Sequence, residues 1–409
     1  MPPLRVGLAG FGTVGRSLAM LLRDHAAILE RRAGRPIVLA AIAEPDARKR
    51  REARRFGRAV SDARALAGDP GSDVLVELGG GLEPAGSILL SALEHGKDVV
   101  TANKLLLATR GPEIVRAAAR ARRSVGFEAS VCGGTPVIAV IRTGLSAGRI
   151  EEIAGIVNGT TNLLLQRMEG GLSAEAAIAE AQEEGIVERD PANDIDGLDA
   201  AHKLAILATL AFGAPFPLDA VARAGIRNLP LSILLTARKR SLAVRLLASA
   251  RMTPKGLQLC VRPTLLPSNH PFANLPGVQN ALRIRGVPLG EQMLLGPGAG
   301  GPATAGAVAA DLVDVATGES RPAFGRIARA AQGVGPALLG PKAGQALPHL
   351  VFGGGRRAAE VLKSLDLSVQ PDEGLLRTAP RPSAVVAGII EQAATTLGPL
   401  WALPLADMR

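Results

Sequence analysis

The chain has 409 residues, 47% of them hydrophobic, which is enough for a large buried core divided over two or three domains. Aromatic residues make up only 2%, too few for a surface that stacks nucleic-acid bases. The formal charge of +10 is concentrated in ARKRREARRFGR (47–58) and AAARARRS (117–124), where arginine alternates with alanine as on a solvated helix face. Because no recognition motif accompanies this charge, we expect no nucleic-acid partner.

Cysteine content and apolar runs indicate a cytoplasmic protein. Cys132 and Cys260 cannot make a disulfide framework, and MPPLRVGLAG leads into a strand-like run without a signal peptide. The longest apolar run, LAILATLAFGAPFPL, is interrupted by glycine and proline and is shorter than the roughly 18 to 20 residues that span a bilayer. We expect no membrane role.

The N-terminal third alternates strands and helices. LRVGLAGFGTVGRSLAMLLRDH predicts a buried strand, a glycine turn and a helix, and IVLAAIAE predicts a second strand. The runs SDVLVELGG and KDVVTANK predict two more strands, with the helix-like PAGSILLSALEHG between them. Strands that alternate with helices indicate a parallel sheet.

The alternation ends near residues 125–135, where longer mixed segments begin. GPGAGG precedes a helix predicted to end at about residue 317, and the Gly/Pro-rich GVGPALLGPKAGQALP predicts a linker. We therefore expect a dinucleotide-binding domain over 1–130 plus about 303–330, a substrate-binding, catalytic and dimerisation domain over 131–302, and a small C-terminal domain over 346–409.

Gly10, Gly12 and Gly15 form G-x-G-x-x-G between the first predicted strand and its helix. Such a turn lets the backbone approach a pyrophosphate, which the helix N-terminus then binds. Glu44, at the end of the next strand, is placed to bind a ribose diol and to repel a 2′-phosphate, which favours NAD. The run from Arg48 to Arg50 opposes that preference, so we expect NAD or NADP with only a slight preference for NAD.

Lys104 closes TANK after the strand KDVV. Ligands of parallel sheets bind beyond the carboxyl ends of the strands, so Lys104 is expected in the same crevice as the nicotinamide. A surface lysine that opens the next helix is the alternative.

The stretch DIDGLDAAHKLAIL places Asp199 and Lys203 four residues apart on one helix face. A surface ion pair is the common reading of this spacing, but the apolar residues that follow Lys203 predict burial. Four further acidic residues precede the pair in sequence: Glu188, Asp190, Asp194 and Asp196. Acids beside one lysine suit a small zwitterion, whereas the spacing does not match a calcium loop of the EF-hand type.

Three further segments have competing interpretations. NGTTN (158–162) predicts a turn that opens a helix and offers N–H groups and hydroxyls to a carboxylate. GPGAGG (296–301) is either a loop that closes over the nicotinamide or a linker. Cys132 in SVCGGTP is either a thiol nucleophile or, more commonly for a buried cysteine, a packing residue.

Taken in order, these segments resemble homoserine dehydrogenase from the first strand to about residue 317. The resemblance rests on GLAGFGTVG, VELGGGLEPA, VVTANKLLLA, FEASVCGGTPVI, GIVNGTTN, AQEEGIVERDPANDIDGLDAAHKLAIL, VRPTLLP with HPFA, and GPGAGG. It implies a Rossmann-type doubly wound domain with an α+β substrate and dimerisation domain, and a small ACT-like or degenerate appendage. It also implies reversible NAD(P)-dependent interconversion of L-homoserine and L-aspartate 4-semialdehyde, in threonine and methionine biosynthesis, by a homodimer or higher homo-oligomer.

The resemblance implies a role for each matching residue. Lys203 is the implied proton donor and acceptor with Lys104 as its partner, and Glu188, Asp199 and Thr160 are the implied substrate ligands. The implied cofactor-binding residues are Gly10, Phe11, Gly12, Thr13, Val14, Gly15, Glu44, Gly79, Thr101, Lys104, Gly185 and Gly300. A structural sodium ion is implied at Glu128 with the carbonyl groups of Val131, Gly133 and Thr135, an oxygen-only ligand set that suits a hard cation.

The chain also departs from the family. Ala43 stands where relatives often carry arginine, which weakens a 2′-phosphate site and supports NAD. LPHLVFGGGRRAAEVLKSLDLSV has a strand–helix–strand rhythm without the usual opening of a regulatory ACT domain. Two other functions compete: an acylating semialdehyde dehydrogenase that uses Cys132, and a non-enzymatic NAD-binding regulatory protein.

Overall fold

The structure is a computed structural model. It describes residues 1–320, 336–339, 346–347, 349–353, 357–372, 375–397 and 400–406. Parts of the predicted linker and of the ranges 303–330 and 346–409 therefore lie outside the described residues. The chain divides into two compact units. The first comprises Met1–Ile150, His202–Leu218 and Leu282–Gly335, and the second comprises Glu151–Ala201, Asp219–Ala281 and Pro336–Arg409.

A six-stranded parallel sheet organises the first unit. Its order, β3-β2-β1-β4-β5-β6, is that of a doubly wound dinucleotide-binding fold, so the Rossmann-type expectation is confirmed. The strands are β1 Leu4–Ala9, β2 Ile37–Ala43, β3 Arg58–Val60, β4 Val74–Glu77, β5 Asp98–Thr101 and β6 Val125–Gly126. The helices are α1 Thr13–Asp24, α2 Ala26–Ala33, α3 Ala47–Ala53, α4 Arg64–Ala67, α5 Ala85–Glu94, α6 Lys104–Ala121 and α7 Val137–Ala139.

The core of this unit forms around one face of β1, on which every second residue is apolar and buried. Val6 and Leu8 are fully buried, and they belong to one cluster with Leu18 of α1 and Leu312. Leu312 lies on a later helix, Gly301–Thr317, whose end matches the predicted one. This helix packs along α1, so residues distant in sequence complete the cofactor-binding fold.

A second six-stranded sheet has the order β12-β11-β7-β9-β10-β8. Its strands are β7 Arg149–Ile156, β8 Ala222–Arg223, β9 Leu242–Thr253, β10 Gly256–Pro267, β11 Gln279–Val287 and β12 Gly290–Pro297. The helices in this part of the sequence are α8 Gly159–Glu169, α9 Ala174–Glu183, α10 Ala192–Ile195, α11 Leu198–Phe212 and α12 Leu231–Lys239, and the helix Gly301–Thr317 is α13. The longest strand pairing in this sheet is the antiparallel hairpin β9–β10.

The C-terminal segment forms a smaller antiparallel sheet of order β15-β16-β14-β18. The elements are β13 Ala346–Leu347, β14 His349–Gly353, α14 Ala358–Ser364, β15 Val369–Asp372, β16 Leu375–Thr378, β17 Arg381–Pro382, α15 Ser383–Leu397 and β18 Leu400–Pro404. From β14 to β18 this is a split βαββαβ arrangement, apart from the short β17, and it includes the predicted strand–helix–strand rhythm. Trp401 on β18 stands opposite Phe352 on β14. Across the described residues, no helix is both long and apolar enough to cross a membrane.

Candidate active site

The glycine turn joins β1 to α1. Gly10 has a φ of +101°, a conformation that favours glycine, and α1 begins at Thr13 directly after Gly12. A Cβ atom at Gly15 would lie 2.1 Å from the carbonyl oxygen of Gly10, so this position requires glycine for the turn to close. The N-terminus of α1 therefore has the backbone form of a phosphate-binding site.

Glu44 follows β2 and is only 6% exposed. One carboxylate oxygen accepts a hydrogen bond from the N–H of Phe11 at 2.9 Å, and the other accepts one from the N–H of Asp46 at 3.0 Å. Because a carboxylate oxygen has more than one lone pair, Glu44 can fix the glycine turn and still accept a hydroxyl. Of the three basic residues proposed to oppose it, Arg48 and Lys49 are exposed on α3. Arg50 is half-buried and donates to the backbone carbonyl groups of Glu44 at 2.8 Å and Pro45 at 2.7 Å.

Lys104 is the first residue of α6, immediately beyond the carboxyl end of β5. The Asn103 side chain caps this helix, since its oxygen accepts the N–H of Leu106 at 3.0 Å. Lys104 is half-buried. The structure therefore places Lys104 at the same edge of the sheet as the glycine turn and Glu44.

Gly300 precedes α13 and has a φ of +111°. The next residue, Gly301, lies so close to α1 that an added Cβ atom would be 2.6 Å from Ser17 Oγ and 3.0 Å from Thr13 Cγ2. The C-terminal end of the GPGAGG segment therefore packs beside the start of α1.

Asp199 lies in the first turn of α11, and Lys203 lies one turn later on the same helix. The two residues are 5% and 9% exposed, so the predicted burial of this pair is confirmed. A charged pair that is withdrawn from water is more costly to disrupt than a pair on the surface.

A second carboxylate joins Asp199 through Asn158. The Asn158 amide donates to Asp194 Oδ1 at 2.6 Å and to Asp199 Oδ2 at 2.7 Å, while its oxygen caps α8 by accepting the N–H of Thr161 at 2.8 Å. Thr160 lies in the same turn and is half-buried. The structure thus brings together an acidic pair and the NGTTN turn.

Glu188 and Gly185 lie in the exposed loop between α9 and α10. The backbone carbonyl of Glu188 accepts a hydrogen bond from Gln182 Nε2 at 2.9 Å, and Gly185 has a φ of +70°. Both residues belong to the second compact unit, as do Thr160 and Asp199, whereas the other proposed cofactor residues belong to the first.

Cys132 is 1% exposed. Its φ of +54° is unusual for a residue other than glycine. A thiol nucleophile must be reached by its substrate, so this burial does not favour catalysis by Cys132.

Sequence comparison decides the family. The model for the homoserine dehydrogenase NAD-binding domain matches residues 10–128, and the homoserine dehydrogenase model matches residues 136–313. The chain belongs to the homoserine dehydrogenase family. It is therefore an oxidoreductase with a dinucleotide-binding domain for a nicotinamide cofactor.

Individual homoserine dehydrogenases match over most of their length. The curated Neisseria gonorrhoeae relative is 43% identical over 317 residues, covering 77% of this chain and 73% of the relative. A homoserine dehydrogenase crystal structure from Thiobacillus denitrificans superposes with a TM-score of 0.92 at 34% identity, covering 100% of this chain and 99% of that one. A hyperthermophilic archaeal homoserine dehydrogenase in complex with NADPH gives a TM-score of 0.66 at 31% identity, covering 76% and 97%.

The sodium site that the resemblance implies can be tested against the loop after β6. Glu128 is buried, and burial raises the pKa of its carboxyl group, an effect that a bound cation would oppose. Its oxygens accept the N–H groups of Ile138 at 2.9 Å and Ala139 at 2.7 Å, which leaves lone pairs for a further ligand. No described group of three or more His, Cys, Asp and Glu side chains could hold a metal, so a cation here would depend on carbonyl oxygens. Carboxylate and carbonyl oxygens are ligands of the kind that a hard cation takes.

Two residues of the site were not predicted in these roles. Asn158 was identified only as part of a helix-opening turn, although its position before Gly159 gives the signal of a capping residue. Asn103 gives the same signal before α6. In both cases the neighbouring sequence predicts that the asparagine caps a helix, but it does not predict the other hydrogen-bond partners of the amide.

Proposed function

We propose that this homoserine dehydrogenase uses Lys203 and Lys104 for acid–base catalysis in the reversible conversion of L-homoserine to L-aspartate 4-semialdehyde, on the route to threonine and methionine. The observation that carries the proposal is the buried α11 segment, in which Lys203 follows Asp199 by one turn. A buried lysine supported by a nearby carboxylate can hold and return a proton at a reacting oxygen.

The substrate ligands are Asp199, Glu188 and Thr160. Carboxylates of the first two provide the negative charge that binds the ammonium group of an amino acid, and the Thr160 hydroxyl provides a neutral donor and acceptor. Asn158 keeps Asp199 in place through its 2.7 Å hydrogen bond. The acids therefore select an amino-acid substrate, and the lysines act on its side-chain oxygen.

A nicotinamide held by the cofactor-binding residues would accept a hydride from the substrate carbon during oxidation and would return it during reduction. During reduction, negative charge develops on the aldehyde oxygen, and the ammonium group of Lys203 stabilises this charge and donates the proton. During oxidation the same nitrogen accepts the hydroxyl proton. Lys104 adds a second positive charge for the developing oxyanion.

The cofactor contacts are assigned to the glycine turn, Glu44, Gly79, Thr101, Lys104, Gly185 and Gly300. We propose that the cofactor is NAD or NADP, with NAD slightly favoured. Glu44 supports this preference because its buried carboxylate disfavours a second negative charge nearby, and Ala43 adds no cation to offset it.

The proposal extends to the whole protein. Residues 1–130 with about 303–330 bind the cofactor, residues 131–302 bind the substrate and dimerise, and residues 346–409 form the small C-terminal domain. A sodium ion at Glu128, Val131, Gly133 and Thr135 is structural, neutralising the buried Glu128 carboxylate. The protein acts in the cytoplasm as a homodimer or higher homo-oligomer.

The test is the appearance of reduced nicotinamide, followed by absorbance, when purified protein is mixed with L-homoserine and either NAD or NADP. Lys203→Met should lower kcat by about 10²- to 10⁴-fold, the usual contribution of a general acid or base. The dissociation constant for NADH should change little. A comparison of kcat/KM for the two cofactors measures their preference.

Lys97 provides the matched control. Lys97 is 4% exposed, and burial lowers its pKa. It lies just before β5, however, where it donates to the carbonyl and hydroxyl oxygens of Ser72. Lys97→Met should therefore keep kcat per folded molecule near that of the wild type. Near-normal turnover of Lys203→Met would remove Lys203 from the mechanism. A folded wild-type protein that binds NADH but oxidises no homoserine would refute the proposed function.

A further inference from the structure

Glu77 is a buried carboxylate with no role in the mechanism described so far. It is the last residue of β4 and only 1% exposed. One carboxylate oxygen accepts the N–H groups of both Gly79 and Gly80 at 2.8 Å. The other accepts the hydroxyl of Thr101 at 2.8 Å, so both oxygens are engaged inside the protein.

The Thr101 hydroxyl links Glu77 to the start of α6. Besides donating to Glu77, its oxygen accepts the N–H of Asn103 at 3.0 Å. Asn103 in turn donates to the carbonyl of Gly81 at 2.6 Å and caps α6. Lys104 is the next residue, so the backbone that carries it is fixed through two side chains that lead back to Glu77.

The Glu77 oxygen that accepts the two glycine N–H groups fixes the loop beside the glycine turn. The N–H of Leu78 donates to the carbonyl of Ala9 at 2.8 Å, and a Cβ atom at Gly10 would lie 2.9 Å from the nitrogen of Gly79. Gly80 and Gly81 have φ values of +76° and +77°, which allow the chain to turn back above Glu77. The loop after β4 and the glycine turn are therefore in direct contact.

A single carboxylate thus holds two parts of the cofactor-binding edge. Hydrogen bonds to an ionised acceptor are shorter and stronger than neutral ones. Removing this acceptor would leave two N–H groups and one hydroxyl without their partner, so the loop and the Asn103 turn would have to rearrange.

We propose that Glu77 is a positioning residue, which sets the place of Lys104 through Thr101 and Asn103 and the place of the 78–81 loop through its two backbone hydrogen bonds. Its assignment to catalysis rests on the proposed function, because Lys104 is the group that it would position. Both carboxylate oxygens of Glu77 bind protein groups, so we assign it no contact with the substrate or the reacting atoms.

The experiment compares Glu77→Ala, Glu77→Gln and Thr101→Val in kcat, KM for homoserine and the dissociation constant of NADH. Glu77→Ala should lower kcat by about a hundredfold, because small displacements of a catalytic group have effects of this size. It should also weaken NADH binding, because the loop beside Gly10 moves. Thr101→Val removes the hydroxyl that leads to Lys104 but keeps both glycine hydrogen bonds of Glu77, so it should weaken NADH binding less than Glu77→Ala does.

Glu77→Gln is the rescue variant. Its amide oxygen can accept both glycine N–H groups and its NH₂ group can donate to Thr101, so it should recover all but about a tenfold loss of kcat. KM for homoserine should change little in all three variants, since the interaction with Lys104 develops in the transition state.

Asp98→Asn is the matched control. Asp98 is also a buried carboxylate that binds a backbone N–H and a hydroxyl, those of Ser124, but it begins β5 and so lies at the opposite edge of the sheet. It should affect stability without affecting kcat per folded molecule.

Three outcomes separate the ideas. A Glu77→Ala enzyme with kcat and NADH affinity like those of Asp98→Asn would overturn the positioning role. Loss of kcat that Glu77→Gln does not recover would also overturn it, because the geometry would then not be the deciding factor. If the wild type oxidises no homoserine, the proposed function fails, whereas weakened NADH binding by Glu77→Ala would still support the loop arm of the inference.

Discussion

Asn158 performs two tasks because an amide has both an acceptor and a donor end. The acceptor end caps α8, and the donor end binds two carboxylates that are 36 and 41 residues distant in sequence. Two carboxylates that share one neutral donor repel each other less than two bare ones. Asn158 therefore keeps Asp199 available for the substrate ammonium group that we propose it binds.

Asn158→Asp should separate these tasks. Aspartate caps a helix as well as asparagine does, but it replaces the donor with a third negative charge. We expect a loss of about 1–3 kcal/mol in the free energy of unfolding and an increase of about tenfold in KM for homoserine. Urea denaturation and steady-state kinetics would measure both quantities.

Ser173→Ala is the control for the cap alone. The Ser173 side chain caps α9 by accepting the N–H of Ala176 at 3.2 Å. Its removal should cost about 1 kcal/mol of stability and leave KM unchanged. An Asn158→Asp enzyme with the wild-type KM would show that the bridge between Asp194 and Asp199 does not serve substrate binding.

At the scale of elements, two glycines of the turn between β1 and α1 should have different roles, one in folding and the other in cofactor binding. A Cβ at Gly15 would collide with the carbonyl of Gly10, whereas one at Gly12 would meet no atom within 4 Å. Gly15→Ala should therefore destabilise the β1–α1 unit, and Gly12→Ala should leave its stability within about 0.5 kcal/mol of the wild type.

The same pair should differ in ligand binding. The second glycine of this motif allows the backbone to approach the pyrophosphate, so Gly12→Ala should weaken NADH binding by about tenfold or more in a fully folded protein. Fluorescence titration with NADH, together with thermal melts, would measure both effects. Unchanged affinity in Gly12→Ala would place the pyrophosphate elsewhere.

The elements that were predictable from the sequence share a strong local signal. The strands β1, β2, β4 and β5 are apolar runs ended by turn residues, and α13 ends where the pattern predicts. The hairpin β9–β10 was seen only as a mixed segment, because many positions of both strands are buried, the apolar run shows no strict alternation, and Pro263 interrupts it. The strands β3 and β6 have three and two residues, too few for any periodicity.

In the candidate site too, the predictable features were those with a strong local signal in the sequence. The burial of Asp199 and Lys203 was predictable from the apolar residues that follow them on one helix. The contacts of Glu77 with Thr101, and of Asn158 with Asp199, were not predictable, since each joins segments that only the fold brings together. Local spacing thus identified the groups that we propose carry the chemistry, and the tertiary structure identified the side chains that bind to them or to their neighbours.

At the scale of the whole molecule, the proposed sodium ion should couple to stability. A ligand that binds only the folded state at a hundredfold excess over its Kd stabilises by about 2.7 kcal/mol. We expect a higher Tm in sodium chloride than in choline chloride at equal ionic strength. Glu128→Gln should abolish this difference, whereas Asp98→Asn should retain it. An equal sodium-dependent increment in Glu128→Gln and in the wild type would exclude the Glu128 site.

The position of Trp401 gives the protein a built-in spectroscopic label. It is the only tryptophan in a chain without tyrosine, and it lies on β18 of the small C-terminal sheet. Intrinsic emission therefore comes from that sheet alone, whereas far-ultraviolet circular dichroism averages over all helices and strands. A melt recorded with both probes compares the cooperativity of the C-terminal sheet with that of the remaining chain, without any added fluorophore.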